Sequence, residues 1–164
     1  MRKLIAAVLV LLLSGCAAVQ TRGGFIDIAR KHTFWYIVDQ HVVNKPFGDV
    51  ISTLRKEWAK CYTGSSTTSH QEGGITTSRI TDTYHPKIVR VSSSLVQFTV
   101  QFTTTGATSL QKDPPGGHYI LALNAKRLGP QKTELDWYSP KWGWSDDWVS
   151  TKNWVAGKTD SCAN

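Results

Sequence analysis

The sequence predicts an α+β domain in which an antiparallel sheet of about five to six strands carries two helices packed on one face. The segment 95–104 alternates strictly between apolar and polar residues, as in a strand with one buried and one wet face. The segment 46–62 has apolar residues at intervals of three and four, as in an amphipathic helix. The predicted strands follow one another between two helices, an order that favours an antiparallel sheet covered by helices.

The chain begins with a basic and apolar leader. Two basic residues follow Met1, and residues 4–13 are an unbroken apolar run. The run is too short to span a bilayer, which needs about 20 residues, and it is typical of a secretory signal peptide. At its end, Leu13-Ser14-Gly15-Cys16 resembles the lipobox of bacterial lipoproteins.

The resemblance implies that residues 1–15 are a signal peptide and that Cys16 becomes the lipidated first residue of the mature chain. Two or three acyl chains, at about 0.8 kcal/mol per buried CH₂, give effectively permanent anchoring. Ala17 and Ala18 stand where an inner-membrane retention signal would carry Asp, so the resemblance implies the outer membrane, with the periplasmic face expected. The alternative is an ordinary secreted protein with a chance cysteine in its leader.

The mature chain has the size of one domain and is moderately basic. Without the leader, 149 of the 164 residues remain, which is enough for a single hydrophobic core. The leader carries two of the 19 basic residues and none of the 12 acidic ones, so the net charge falls from +7 to +5. The basic residues are dispersed and no nucleic-acid-binding motif is present, which predicts no nucleic-acid partner and leaves contact with anionic lipid head groups open.

Cys61 and Cys162 are the cysteines that remain once Cys16 is assigned to lipid. An even pair in an oxidising compartment predicts one disulfide. The disulfide would close a loop of about 100 residues and contribute up to about 4.7 kcal/mol in the chain-entropy model. Neither cysteine has a thiol or an imidazole at metal-ligand spacing, so neither a redox site nor a zinc site is predicted.

The segment 16–30 is predicted to be the lipidated N-terminus and a flexible tether, and 31–164 a single domain. The tether mixes small, polar and apolar residues around Gly23-Gly24. Phe25, Ile26 and Ile28 are apolar enough to pack on the domain, so the boundary is not sharp.

The first strand and the first helix are predicted over 34–43 and 46–62. Pro46 begins the helix, where its missing N–H is not needed, and Gly64 is a stop signal after it. The inner face of the strand consists of Phe34, Tyr36, Val38 and Val42, with Asp39 and His41 on the other face. The helix stripe consists of Phe47, Val50, Ile51, Leu54, Trp58 and Cys61.

Polar segments and turn residues divide the remainder into strands. Loops or turns are predicted at 65–74, 85–86, 92–94, 105–117 and 129–132. The strands between them are predicted at 75–84, 87–91, 95–104, 119–125 and 133–138. The predicted inner faces are Val96, Phe98, Val100 and Phe102 in one strand and Tyr119, Leu121, Leu123 and Ala125 in the next.

The last helix is predicted to begin at Ser145, as its N-cap, and to end near Gly157. Asp146 and Asp147 would place negative charge at the positive end of this helix. The resulting order of strand, helix, five strands and helix fits a helix-grip arrangement, in which Cys61 and Cys162 would tie two helix ends together.

Tryptophan is concentrated near the C-terminus, where five of the seven follow residue 136. Trp142 and Trp144 lie in the irregular segment 139–145 and are the candidate ligand or partner contacts, because exposed rings stack on sugars or lie at membrane interfaces. The alternative is that these rings fill the seam between the last strand and the last helix. The five histidines have no zinc spacing and no catalytic or cofactor motif is present, so no enzyme, metal or cofactor is predicted.

Two functions remain as hypotheses. The first is a non-enzymatic outer-membrane lipoprotein that contacts a protein partner in the bacterial cell envelope. The alternative is a helix-grip module that binds a lipid or other apolar ligand, which is an analogy of fold. An exposed apolar patch favours the first, a cavity of about 300 Å³ or more favours the second, and glycan binding by the loop tryptophans is a third and weaker option.

Overall fold

The computed structural model describes residues 21–72, 75–106, 113–158 and 162. The leader, Cys16 and the predicted tether up to residue 20 lie outside the described residues, as do 107–112 of the predicted loop 105–117. The elements in chain order are α1 Arg22–Lys31, β1 Tyr36–Val43, α2 Phe47–Cys61, β2 Gly64–Glu72, β3 Ile75–Ser92, β4 Leu95–Gly106, β5 His118–Gly129, β6 Lys132–Pro140 and α3 Ser145–Ala156. The predicted α+β class is confirmed.

The six strands form one antiparallel sheet in the order β1-β6-β5-β4-β3-β2. The first strand therefore pairs with the last, from Tyr36 opposite Pro140 to Val43 opposite Thr133. Since β1 and β2 are the two edges of the sheet, the connection through α2 runs from one edge to the other. This crossing packs α2 against the sheet.

The main core is a cluster of buried residues contributed by the sheet and by the helices α2 and α3. The predicted helix stripe is confirmed, because Phe47, Val50, Ile51, Leu54 and Trp58 are all buried. The inward face predicted in β4 is also confirmed, because its three buried apolar side chains belong to the same cluster. The predicted wet face is wrong at Thr99, which is only 5% exposed. The sheet residues of this cluster include Val96, Phe98, Val100, Leu121, Leu123, Leu135 and Trp137.

A second cluster forms around α1, where the tether prediction is wrong. Phe25, Ile26 and Ala29 are buried against Ala122 and Tyr138. Ala122 lies between two residues of the main cluster in β5, and side chains alternate along a strand, so α1 covers the opposite face of the sheet. Burial of this apolar stripe stabilises the helix despite the two glycines of its first turn, because tertiary packing contributes more to helix stability than propensity does.

The predicted loop 65–74 is wrong over most of its length, because β2 spans Gly64–Glu72. Its paired register with β3 runs from Gly64 opposite Tyr84 to Glu72 opposite Ile75. The exposed strand has few apolar residues and hence no alternating pattern to detect. Cross-strand contacts such as the 3.0 Å hydrogen bond between the hydroxyls of Thr67 and Thr81 support it.

The predicted turn at His85-Pro86 is also wrong, because β3 runs without a break through Ile75–Ser92. Pro86 lies opposite Val100 of β4. Pairing with β2 ends at Tyr84, so beyond that residue β3 has a neighbour on only one side. Proline is tolerated there because an edge strand does not need its missing N–H for a ladder hydrogen bond.

A register shift in β5 corrects the predicted position of Tyr119. Leu121 lies opposite Val100, and the next pair joins Tyr119 to Gln101, so one residue of β5 is extra. The extra residue exchanges the two faces locally. Ile120 therefore joins the main core, and Tyr119 packs beside α1.

The predicted inner face of β1 is wrong as well. Val38 and Val42 are each 39% exposed. The opposite face contacts α3 instead, where the indole N–H of Trp148 donates to Asp39 Oδ2 at 2.6 Å and the ring of His41 lies 6.2 Å from that of Trp148. The reason is that α3 packs beside this edge, whereas on the other face of β1 Tyr36 packs against the cluster around α1.

The helix α3 begins one residue later than predicted, with Trp144 as N-cap and no side-chain capping bond. Ser145 is thus the first helical residue and not the cap. The predicted end is confirmed, since Gly157 adopts the left-handed conformation with φ of +88°. Cys61 and Cys162 form a disulfide-compatible pair with their Cα atoms 5.3 Å apart. Within the described ranges, no helix combines the length and the apolar character that a membrane span needs.

Candidate functional site

A cleft of about 460 Å³ lies between the C-terminal end of α2, the N-terminal end of α3 and the strands β2 and β3. We call it the aromatic–acidic cleft. Its lining consists of Cys61, Tyr62, Ser66, Tyr84, Gly143, Trp144, Asp146 and Asp147. An adjoining hollow of about 210 Å³ shares Tyr84 and Trp144 and extends to Asp82, Phe102 and Ile120.

Three aromatic rings form walls of the cleft. The ring of Trp144 lies 6.4 Å from that of Tyr62 and 6.1 Å from that of Tyr84, with an interplanar angle of 72° to the latter. The tyrosines come from the end of α2 and from β3, so the rings meet only in the folded chain. Trp144 is partly buried, and the structure places it in this cleft, away from Trp142.

Asp147 is a buried carboxylate beside the cleft, with 5% of its surface exposed. Its Oδ1 accepts a 2.8 Å hydrogen bond from the Tyr62 hydroxyl. Burial raises the pKa of Asp147 from 3.8 to about 6, and the hydrogen bond from Tyr62 offsets only part of this shift. The sequence suggested only a favourable charge at a helix end, whereas the structure buries this residue.

Further acidic and phenolic groups surround Asp147. Burial raises the pKa of Tyr84, and the nearby carboxylates of Asp82 and Asp147 add to the effect. Burial and the contact with Asp147 raise the pKa of Tyr62 well above its ordinary value. In the described parts of the chain, the ion pairs of lysine and histidine involve other carboxylates, and none includes Asp147. The cleft is therefore acidic on a chain of positive net charge.

A second candidate surface is the exposed aromatic patch, which consists of Phe34, Trp35 and Trp142. Their exposed fractions are 74%, 54% and 76%. The rings of Phe34 and Trp35 are 4.9 Å apart, and those of Trp35 and Trp142 are 5.9 Å apart. The backbone N–H of Lys141 donates to the carbonyl of Trp35 at 2.9 Å and so joins the two segments.

The sequence identified one member of this patch and missed the other two. The expected exposure of Trp142 is confirmed, but the sequence predicts Phe34 and Trp35 within a strand, whereas β1 begins at Tyr36. The sequence does contain a pattern that indicates exposed apolar side chains here. The five consecutive apolar residues at 34–38 are more than a strand with one buried face needs. The patch continues along the edge strand β1, where Val38 and Val42 are partly exposed.

A third, basic opening of about 310 Å³ lies at the start of α2. The guanidinium of Arg127 lies 5.2 Å from the centre of the Phe47 ring. Arg55 and Arg90 also line this opening, and all three arginines are exposed. The opening is a surface feature without a buried polar group.

No group of three or more metal-ligating side chains is assembled in the described portions of the chain. His85 and His118 each have a local partner, the hydroxyl of Thr103 at 2.9 Å and the carboxylate of Asp113 at 3.1 Å. Cys16, the predicted lipidation site, lies outside the described residues.

The comparisons with known proteins place the chain in no family. No family model matches the sequence, and no curated protein matches it. One solved structure with some likeness is the crystal structure of a hypothetical protein from Helicobacter pylori, with a TM-score of 0.38 and 10% sequence identity. The likeness covers 74% of this chain and 83% of that protein.

Proposed function

We propose that this chain is a non-enzymatic, lipid-anchored protein of the bacterial cell envelope that contacts a protein partner through its exposed aromatic patch. The observation that carries the proposal is the contiguous exposure of Phe34, Trp35 and Trp142. Contiguous exposed apolar surface marks interaction sites in soluble domains, and tryptophan is enriched among the residues that dominate binding energy at protein interfaces.

The position of the patch favours a protein over a lipid surface or a glycan. Trp35 is followed directly by β1, which is an edge of the described sheet. The unpaired backbone groups of an edge strand can hydrogen-bond to a strand of a partner, whereas a lipid offers no comparable ladder. The partly exposed side chains of Val38 and Val42 would extend such a contact along the strand.

The anchor belongs to the same proposal. Cys16 would carry the acyl chains, and Thr21 caps α1 five residues later. An extended chain covers about 3.3–3.6 Å per residue, so α1 would start within about 18 Å of the lipid-bearing residue. We further propose that α2 and α3 cover one face of the sheet in a helix-grip arrangement, and that the domain lies at the periplasmic face of the outer membrane.

The anchor is tested by the variant Cys16→Ala. It should take up no radiolabelled fatty acid and should leave the membrane fraction, because the acyl chains have no other attachment site in the proposal. Label that still enters the variant, or a wild-type protein found outside the membrane fraction, would contradict the anchor without bearing on the aromatic patch.

The partner contact is tested by photo-crosslinking in intact envelopes. Benzoylphenylalanine in place of Trp142 keeps an aromatic ring at the patch and should yield a defined protein adduct that disappears in the second-site variant Trp35→Ala. The matched control carries the same group in place of Leu128, which is 50% exposed near the β5–β6 turn, and should yield no such adduct. Equal adducts at both positions, or adducts with lipid or glycan alone, would refute the protein contact.

Ligand binding is a second candidate function, and one observation favours it. The aromatic–acidic cleft of about 460 Å³ exceeds the volume of about 300 Å³ at which small-molecule pockets begin. The two functions use different surfaces and are compatible in one protein.

A further inference from the structure

The aromatic–acidic cleft combines ring walls with an unneutralised carboxylate. We propose that it binds a small ligand carrying an ammonium group on an apolar stem. The proposal rests on the second candidate function, ligand binding by this cleft, and it specifies the chemical class of the ligand.

The charge of the cleft is the first step. The carboxylate of Asp147 is almost fully buried, and the side chain that donates a hydrogen bond to it, the Tyr62 hydroxyl, is uncharged. A buried charge is unfavourable unless an opposite charge or further hydrogen bonds compensate it. No lysine or arginine ion pair reaches Asp147 among the residues described. A ligand ammonium would supply the missing charge.

The rings are the second step. The ring of Trp144 lies 6.4 Å from that of Tyr62 and 6.1 Å from that of Tyr84. Aromatic faces attract cations through their quadrupole, and tryptophan does so most strongly. The same rings offer apolar surface to a hydrocarbon stem, and the adjoining hollow lined by Phe102 and Ile120 continues that surface.

Exclusion of anions is the third step. Asp146 lines the cleft beside Asp147, and Asp82 lines the adjoining hollow. Together these carboxylates make the potential inside the cleft negative although the chain as a whole is basic. A carboxylate or phosphate ligand would meet repulsion there, whereas a neutral ligand would gain only the apolar contact.

The test is isothermal titration calorimetry of the full mature protein with three probes of equal chain length: hexylammonium, hexanol and hexanoate. At pH 7.5 hexylammonium should bind at least tenfold more tightly than hexanol, and hexanoate should not bind. Asp147→Asn keeps a hydrogen-bond acceptor for the Tyr62 hydroxyl and removes the negative charge. It should lower the affinity for hexylammonium at least tenfold. The control Asp49→Asn removes a carboxylate from the first turn of α2, away from the cleft. It should leave the affinity for hexylammonium unchanged.

A ring variant and a pH series complete the test. Trp144→Leu should lower the affinity for hexylammonium about five- to thirtyfold, because the loss of the ring removes about 1–2 kcal/mol of cation–π attraction. Lowering the pH from 7.5 to 5 should weaken binding about tenfold, because Asp147 takes up a proton near pH 6. Tyr62, Tyr84 and Asp146 also line the cleft, and Asp82 lines the adjoining hollow. The tyrosines stay protonated in this range, because burial raises the pKa of both. The same pH series with Asp147→Asn separates the part of the pH dependence that belongs to Asp147.

The remaining outcomes distinguish the ammonium proposal from ligand binding by the cleft in general. Glycerophosphoethanolamine carries a phosphate beside its ammonium and has no apolar stem, so it should bind much more weakly than hexylammonium. Comparable binding of the two would overturn the preference for an ammonium on an apolar stem and would assign the site to a phospholipid head group. Equal binding of hexanol and hexylammonium would overturn the ammonium proposal and leave ligand binding standing. Failure of all probes to bind at millimolar concentration would overturn both. Equal weakening by Asp147→Asn and Asp49→Asn would show that the cation binds elsewhere.

Discussion

Asp147 couples the stability of the fold to pH. Its pKa is about 6 in the folded protein and 3.8 ordinarily, so its charge destabilises the folded state at neutral pH, and stability rises as the pH falls through 6 towards 3.8. One pKa unit corresponds to about 1.4 kcal/mol. Asp147→Asn should therefore raise the free energy of unfolding by about 1–3 kcal/mol at pH 7.5 and by little at pH 4, as urea denaturation would measure.

The exposed neighbour of Asp147 provides the control. Asp146→Asn should stay within about 0.5 kcal/mol of the wild type, as surface substitutions usually do. A variant Asp147→Asn that is less stable than the wild type at pH 7.5 would mean that the hydrogen bond from Tyr62 outweighs the desolvation of the carboxylate.

Leu54 tests the phase of α2 at the scale of one side chain. It is fully buried in the main core, so Leu54→Ala should cost about 2–5 kcal/mol through lost transfer energy and the cavity left behind. The side chain of Lys56 is 82% exposed, and its Nζ lies 3.9 Å from Glu57 Oε1. Lys56→Ala should therefore change the free energy of unfolding by less than about 0.5 kcal/mol. Equal losses of unfolding free energy in Leu54→Ala and Lys56→Ala, measured by denaturant titration, would show that the buried face of α2 is misassigned.

The helix α1 is tested as an element by its buried and exposed faces. Phe25 is 3% exposed and lies 6.0 Å from the ring of Tyr36 and 6.2 Å from that of Tyr119. Phe25→Ala should cost about 3–5 kcal/mol, the range for a buried phenylalanine, whereas the exposed Asp27→Ala should cost under about 0.5 kcal/mol. If Phe25→Ala unfolds at the wild-type urea midpoint, α1 does not dock on the sheet in solution.

The elements differ in how well their sequences predict them, for physical reasons. The helix α2 and the strand β4 each bury one face, so their apolar periods of 3.6 and 2 are visible in the residues themselves. The strand β2 is polar and exposed, and the helix α1 has a short stripe after two glycines, so neither shows a clear period. The register shift beside Tyr119 depends on pairing with β4, which no local pattern encodes.

At the scale of the whole molecule, the sequence predicted parts of both candidate surfaces but not their composition. Trp142 and Trp144 stand out as aromatic residues in an irregular segment, yet they belong to different surfaces. The partners of Trp144 are Tyr62 and Tyr84, which lie far from it in the sequence and meet it only through the sheet order. The acidic character of the cleft is equally non-local, because it requires the fold to bring Asp146 and Asp147 beside Tyr62 and Tyr84.

The pair Cys61 and Cys162 should be oxidised in the mature protein and should stabilise the whole domain. The cysteines are 101 residues apart in sequence, and Cys61 ends α2 where it lines the aromatic–acidic cleft. Closing so long a loop contributes up to about 4.7 kcal/mol by reducing the entropy of the unfolded chain. Dithiothreitol should therefore lower the urea midpoint of the wild type, and the double variant Cys61→Ser/Cys162→Ser should start at the lower value and not respond. Two free thiols titrated per unfolded, lipidated chain would rule out the bond, and a disulfide-linked dimer would assign it to two copies of the chain.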